Sequence, residues 1–236
     1  TSKDQCSSSL TKSFTVNGSV PQAGFVVNNA VNLCSNKEVT VSDASTVDFG
    51  SIVRVEIYWD YLNDPSIKTV DEEPTPRKLY AHLYPDFGMP RTKDFQVLYV
   101  SYSGINCVSQ HSKTITVKAS PEILFTALAP VCEEITPFNI TAASEIHSFV
   151  GTGTYSGRGI SPQGLFNPGV AGPGIHTIRY QFTAENGCSI DETQPQQVHP
   201  TPRVNAGPDK RVLEEGTARL DGEAVGNIAE YIWSPM

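Results

Sequence analysis

Three cysteine-containing segments share one register, and this repeat constrains the fold more than any other feature. In each segment a valine follows the cysteine by ten residues: Cys6 with Val16, Cys107 with Val117, and Cys188 with Val198. A proline comes four or five residues after each valine, and a further cysteine follows the first two valines: Cys34 and Cys132. The third copy has Leu213 at the corresponding position. Such a register indicates tandem copies of one structural unit.

The register also predicts where the modules begin and end. Residues 1–17 are expected to be the last strand of a preceding module, and residues 18–118 one complete module. Residues 119–200 are expected to form a second, smaller module, and residues 201–236 the opening strands of an incomplete third. The connection at residues 199–202 contains two prolines, which favours an extended linker. Short linkers of this kind predict a stiff, extended rod.

The local pattern predicts an all-β chain of sandwich modules. Alternating apolar residues predict strands at residues 38–41, 51–59, 96–102 and 176–182, and turn residues separate them. Asn186 and Gly187 predict a tight hairpin turn, because both residue types tolerate positive φ. The glycine-rich segment 151–157 lacks the helix and the Gly-Lys-Ser/Thr of a phosphate-binding loop, so it is predicted to be a turn between strands.

Charge and hydropathy exclude two classes of partner. The net charge is −8, and the 17 Lys and Arg residues are scattered singly, so we expect no nucleic-acid binding. No run of eighteen apolar residues occurs, so we expect no membrane insertion. The sequence starts at Thr1 with neither an initiator Met nor a signal-peptide segment, which is expected of a chain whose N-terminus has been removed.

The cysteines predict disulfides and an oxidising compartment. Four cysteines allow three pairings, and the repeat favours pairing within each module: Cys34 with Cys107, and Cys132 with Cys188. Persistent disulfides place the protein outside the cytoplasm, in an extracellular or cell-surface location. Cys6 is unpaired within the sequence, and its register predicts a partner in the preceding module; the alternative is a reactive thiol. No two cysteines have the short spacing of a zinc site.

Few residues indicate chemistry beyond a structural role. Asp60, Asn63 and Asp64 are a weak candidate for a Ca²⁺ site, because they offer oxygen ligands in a strand-end loop; no other metal or cofactor is expected. Trp59 is expected in the core, whereas a glycan-binding platform would use Tyr58 and Tyr61 beside it. No nucleophile elbow and no helix-spaced histidine pair occur, so the sequence predicts that the chain is not an enzyme.

Several segments resemble known extracellular modules. Residues 153–168, 171–180 and 186–188 resemble an immunoglobulin-like repeat of secreted Bacteroidetes proteins. Residues 204–209, 220–222 and 231–235 resemble the opening half of a PKD-like domain, and residues 18–118 resemble a diverged PKD domain. In the latter, residues 58–60 match the tryptophan-aspartate strand, and residues 82–84 match a His-x-Tyr. The resemblance implies a large surface protein of the gliding-adhesin kind, exported by the type IX system.

Two functional hypotheses follow from these patterns, and a third remains open. The first is a non-catalytic stalk of an extracellular bacterial protein, which spaces or displays a distal adhesin. The alternative is an accessory spacer attached to a secreted enzyme, and the third is a glycan-binding module. The expected partners are neighbouring modules of the same chain, the type IX secretion or surface machinery, and surface glycans.

Overall fold

The computed structural model describes residues 3–12, 19–226, 228 and 230–233. The chain divides into two compact units, Thr1–Ala119 (unit 1) and Ser120–Met236 (unit 2), and each is described by itself. Both are built almost entirely from β-strands, which confirms the predicted all-β class. The module boundaries proposed from the register stay a prediction.

Among its described residues, unit 1 contains seven strands in two antiparallel sheets. One sheet has the order β1-β2-β5 and the other β4-β3-β6-β7. Because consecutive strands change sheet at several points, this is an immunoglobulin-like sandwich. The strands are β1 Phe25–Val27, β2 Val39–Asp43, β3 Arg54–Asp60, β4 Asp64–Asp71, β5 Leu79–His82, β6 Thr92–Tyr102 and β7 Val108–Lys118.

The core of unit 1 lies between its two sheets. Alternation in β2 buries Val39 and Val41, and in β3 it buries Val55, Ile57 and Trp59. β6 differs from a half-buried strand, because all its residues from 97 to 101 are buried. It is therefore covered on both faces, as a central strand between β3 and β7 can be.

Unit 2 contains shorter strands and smaller sheets. Its largest sheet has the order β12-β14-β15-β9, and three two-stranded sheets pair β11 with β8, β10 with β13, and β16 with β17. The strands are β8 Ile123–Phe125, β9 Val131–Cys132, β10 Phe138–Asn139, β11 Ala143–Glu145, β12 Gly151–Ser156, β13 Leu165–Phe166, β14 Gly174–Ala184, β15 Ser189–His199, β16 Arg203–Asn205 and β17 Glu223–Val225.

The glycine-rich segment predicted to be a turn is strand β12, so that prediction is wrong. β12 pairs with β14 along its whole length, and two of its glycines are needed by the neighbouring rings. A Cβ on Gly153 would lie 1.9 Å from the Tyr180 hydroxyl oxygen, and one on Gly151 would lie 2.8 Å from Phe182 Cζ. These glycines therefore make room for aromatic side chains, and they do not mark a chain reversal.

Two local features of unit 2 follow from its sequence. Asn186 and Gly187 form the predicted hairpin turn between β14 and β15, with Gly187 at a φ of 88°. A one-turn helix, α1 (Pro168–Ala171), interrupts the strands where none was predicted. Proline is preorganised for the first helical turn, and the Asn167 side chain accepts a hydrogen bond from the Val170 N–H.

The two ends of the chain are less regular. Residues 3–12 contain turns and no strand, and residues 13–17 of the predicted terminal strand lie outside the described residues. In the predicted third module, β16 and β17 form an exposed antiparallel pair. Positions 227, 229 and 234–236 of that module also lie outside the described residues.

Candidate functional site

The cysteines of unit 1 lie at opposite ends of its last strand. Cys34 forms a parallel bridge with Lys118, the final residue of β7. Cys107 directly precedes Val108, the first residue of β7. Eleven residues of extended chain separate positions 107 and 118, which corresponds to roughly 35 Å. A disulfide needs Cα atoms about 4.4–6.8 Å apart, so these two cysteines cannot pair within unit 1.

Unit 2 repeats this arrangement. Cys132 pairs in parallel with His199, the final residue of β15, and Cys188 directly precedes Ser189, the first residue. The separation along the strand is again eleven residues, or roughly 35 Å. β7 is the last strand of the predicted module 18–118 and β15 that of the predicted module 119–200, so the register describes a shared geometry with one cysteine at each end of that strand.

The predicted pairs, Cys34 with Cys107 and Cys132 with Cys188, are consequently not formed. Cys34 and Cys188 are disulfide-bonded, whereas Cys107 and Cys132 are free thiols. The predicted presence of disulfides is thus confirmed, and the pairing within modules is corrected by the length of the last strand. Cys6 is an exposed free thiol, and the prediction of its partner stays a prediction.

Both units also share a parallel contact between an early segment of the unit and the end of a long strand, β7 in unit 1 and β15 in unit 2. In unit 1 the Lys118 N–H donates to the Leu33 carbonyl at 2.7 Å, and the Ser35 N–H donates to the Lys118 carbonyl at 2.9 Å. In unit 2, β9 pairs in parallel with the end of β15, and the Glu133 N–H donates to the His199 carbonyl at 2.9 Å. We call these contacts the terminal clamps. The cysteine register includes their residues, because Cys34 and Cys132 are its second cysteines and Lys118 and His199 follow its valines, but the sequence did not show that these residues meet.

The residues of the tryptophan-aspartate and His-x-Tyr matches meet in the core of unit 1. Trp59 is 1% exposed and stacks on His82 with ring centroids 4.9 Å apart, which confirms its predicted core position. The Tyr84 hydroxyl donates to the Trp59 carbonyl at 2.8 Å. Burial lowers the pKa of His82, and its Nε2 atom has no hydrogen-bond partner. This cluster is packed between the sheets and therefore acts as structure.

Two further tyrosines of unit 1 donate to carboxylates. The Tyr99 hydroxyl donates to Asp43 Oδ1 at 2.9 Å, and the Tyr80 hydroxyl donates to Asp71 Oδ2 at 2.7 Å. Burial, reinforced by these carboxylates, raises the pKa of both tyrosines far above the usual value. Each pair satisfies a buried hydroxyl and fixes the position of one strand against another.

The proposed glycan platform, Tyr58 and Tyr61, lies on the outer face of the larger sheet of unit 1. The two rings meet edge to face, with centroids 5.9 Å apart and planes inclined by 77°. The Tyr58 hydroxyl donates to Glu56 at 2.7 Å, and the Lys68 ammonium lies 5.2 Å from the Tyr58 ring centroid. Tyr61 alone of this pair therefore presents an uncovered ring, with 44% of its surface exposed.

The candidate calcium ligands are engaged with protein groups. The Asn63 amide donates to Asp60 Oδ1 at 2.9 Å, and Asp64 Oδ1 accepts from the Ser66 N–H at 3.0 Å. Lys93 lines the same depression as Asp60 and Asn63 and adds a positive charge there. Asp60, Asn63 and Asp64 thus already have hydrogen-bond partners, and calcium binding stays a prediction.

Within residues 3–12, 19–226, 228 and 230–233, no three His, Cys, Asp or Glu side chains are grouped so that they could hold a metal ion. Over the same residues, no helix has the length and apolar character needed to cross a bilayer. The features that the two units share are therefore the paired cysteine positions and the terminal clamps.

Comparison with known proteins yields structural likenesses only. No protein-family model matches the chain, and no curated protein matches it. Fibronectin(III)-like modules of Clostridium thermocellum CbhA are 13% identical, with a TM-score of 0.31, over 75% of this chain and 95% of the other. Domains 3–6 of protocadherin gamma B2 are 10% identical, with a TM-score of 0.31, over 81% and 55%. Domains 1–4 of Drosophila N-cadherin are 11% identical, with a TM-score of 0.26, over 78% and 51%. At such low scores these likenesses carry no argument about function.

Proposed function

We propose that the chain is a non-catalytic stalk region of an extracellular protein, and that its units transmit tension while they space or display a distal part. The terminal clamps carry this proposal. In both units the segment that follows the first strand is hydrogen-bonded in parallel to the end of the last strand. Tension applied to the ends of a unit passes from the first strand into this segment and from the last strand into its end, so the clamps lie on the force path through each unit.

The parallel direction of the clamps decides how they resist force. Tension pulls the N-terminal segment toward its beginning and the last strand toward its end. In a parallel pair these directions are opposite, so the hydrogen bonds are sheared together and do not open one at a time. A spacer under tension needs this resistance, whereas a module that only binds a ligand does not.

The location and lineage in the proposal have separate support. Disulfide-bonded Cys34 and Cys188 support an oxidising, extracellular environment. The resemblance of residues 153–180 to Bacteroidetes surface repeats supports export by the type IX system to the cell surface. An adhesive contribution would require a ligand. The exposed Tyr61 ring is the candidate glycan contact on unit 1, and a glycan array probed with the chain tests for binding.

Single-molecule force spectroscopy under reducing conditions tests the mechanical role. We expect one unfolding event for each unit. Glu133→Pro should lower the unfolding force of unit 2, because it removes the N–H that donates to the His199 carbonyl. Glu133 is the second residue of the turn closed by the Ile135 N–H and the Cys132 carbonyl, a position that proline fits well. The lost bond should cost only about 1 kcal/mol of equilibrium stability.

Unit 1 in the same molecule and the Glu133→Gln variant, which keeps the N–H, are the controls. The unfolding force of unit 1 should be unchanged in both variants, and Glu133→Gln should leave unit 2 unchanged. If Glu133→Pro leaves the unfolding force of unit 2 at the parental value, the clamp does not resist tension and the mechanical proposal fails.

A further inference from the structure

The two free thiols at the ends of the last strands have counterparts that are disulfide-bonded. Cys107 precedes β7 as Cys188 precedes β15, and Cys188 is disulfide-bonded. Cys132 lies beside the end of β15 as Cys34 lies beside the end of β7, and Cys34 is disulfide-bonded. The position before the strand is therefore a thiol at Cys107 and disulfide-bonded at Cys188. The position beside the end of the strand is a thiol at Cys132 and disulfide-bonded at Cys34.

The terminal clamps define which end of a unit each cysteine occupies. Because the N-terminal segment runs parallel to the last strand, the chain enters a unit at the end where that strand begins. It leaves at the end where the strand finishes. Cys107 is thus at the entry end of unit 1, and Cys132 is at the exit end of the predicted module 119–200. The cysteine at the other end of the same strand is roughly 35 Å away in each case, so neither thiol can bond it.

We propose that Cys107 and Cys132 are the halves of disulfides to neighbouring β-sandwich modules of the same design. Cys107 bonds a cysteine at the exit end of the module that precedes unit 1. Cys132 bonds a cysteine at the entry end of the module that follows residues 119–200. Cys6 shares the register of Cys107 and belongs to the same class. Under this proposal, each disulfide links two successive modules and none closes a loop within one module.

The accessibility of the two thiols suits this chemistry. Cys132 is exposed and Cys107 is half-buried, so a disulfide oxidant can reach both. Each bond forms by thiol–disulfide exchange. Two protein thiols reduce one oxidant disulfide, of the oxidoreductase or oxidised-glutathione class; one protein S–S bond forms, one oxidant S–S bond breaks, and two oxidant thiols leave with the protons.

The native protein, isolated without reductant from the cells that produce it, provides the test. Free thiols are alkylated in denaturant, the protein is digested, and disulfide-linked peptides are identified by mass spectrometry before and after reduction. We expect Cys107 and Cys132 to escape alkylation until reductant is added. Each should be found linked to a cysteine of another module: an exit-end cysteine for Cys107 and an entry-end cysteine for Cys132.

Two variants of the native protein sharpen this result. Cys132→Ser should expose one new alkylatable thiol in a following module, and Cys107→Ser one in a preceding module. Neither substitution creates a cavity in a hydrophobic core, since both side chains lie at strand ends and belong to neither core cluster. Alkylation of Cys107 and Cys132 without reductant would overturn the proposal, as would recovery of either one bonded only to a small thiol. Neither outcome depends on how the units respond to tension.

Discussion

Unit 1 buries four aromatic side chains that carry polar atoms, whereas the core of unit 2 is built from phenylalanine and aliphatic side chains. In unit 1 these are Trp59, Tyr80, Tyr84 and Tyr99, and each polar atom has a specific partner. In unit 2, Tyr155 and Tyr180 only border the core. The same sandwich class is therefore reached by directional hydrogen bonds in one unit and by shape complementarity in the other.

This difference has consequences for how each unit fails. A core that depends on protonated hydroxyls is sensitive to the protonation state of its tyrosines, because ionising a buried hydroxyl removes a donor and buries a charge. A core that depends on shape is sensitive to added volume, because close-packed side chains leave no space for another carbon atom. Three predictions use this contrast, beginning with the largest expected effect.

Alkaline pH should destabilise unit 1 more than unit 2. Burial raises the pKa values of Tyr80, Tyr84 and Tyr99 far above 10, so only the unfolded state releases these protons as the pH rises past about 10. Stability is therefore present below pH 10 and lost above it. The loss for three tyrosines is about 4 kcal/mol at pH 11.

Thermal unfolding of a Trp233→Phe variant measures this effect, because Trp59 is then the sole tryptophan and reports on unit 1. Far-UV circular dichroism follows both units together. Tyr155 and Tyr180 of unit 2 have smaller increases in pKa, so its transition should move less. Equal shifts of the two transitions between pH 9 and pH 11 would remove the proposed difference between the cores.

Tyr99→Phe should destabilise unit 1 by about 2 kcal/mol, the usual effect of losing a buried hydrogen bond to a charged group. Asp43 would keep the bond from the Ser45 N–H, which limits the loss. Tyr180→Phe is the matched change in unit 2, where we expect only a few tenths of a kcal/mol. Urea unfolding followed by Trp59 fluorescence and by circular dichroism distinguishes them. The idea is wrong if the two substitutions have the same effect.

Gly153→Ala should destabilise unit 2 by roughly 1–2 kcal/mol, because the new methyl group forces the Tyr180 ring to move. Gly104→Ala in unit 1 is the control, since nothing lies within 4 Å of its added Cβ. Thermal unfolding should show a lower transition for unit 2 in the first variant and no loss in the second. A neutral Gly153→Ala would show that shape complementarity is not what specifies this part of unit 2.

Much of the fold was predictable from local pattern. Alternating apolar residues located β2, β3, β6 and β14, and the Asn186–Gly187 pair located a hairpin turn. Strand β12 was missed because glycine is ambiguous in a sequence: it marks a turn when the backbone needs positive φ, and a strand position when a neighbouring ring needs the space. Only the partner strand, with Tyr180 and Phe182, resolves that ambiguity.

The weak calcium candidate shows the same limit at the level of sites. Asp60, Asn63 and Asp64 are close in sequence, but β3 ends and β4 begins between them. Asn63 donates to Asp60, whereas Asp64 accepts from the Ser66 N–H. Sequence proximity supplies the right atom types, whereas the direction in which those atoms point is a property of the folded turn.

The alternating pattern of the sequence by itself determined the all-β class, and its cysteines predicted disulfides and an oxidising environment. They did not determine the pairing. The sequence is equally compatible with one bond between Cys34 and Cys107 and with two bonds to separate partners. It does not say at which end of the last strand each cysteine lies. Tertiary structure decides this, because an eleven-residue strand holds Cys34 apart from Cys107 and Cys132 apart from Cys188.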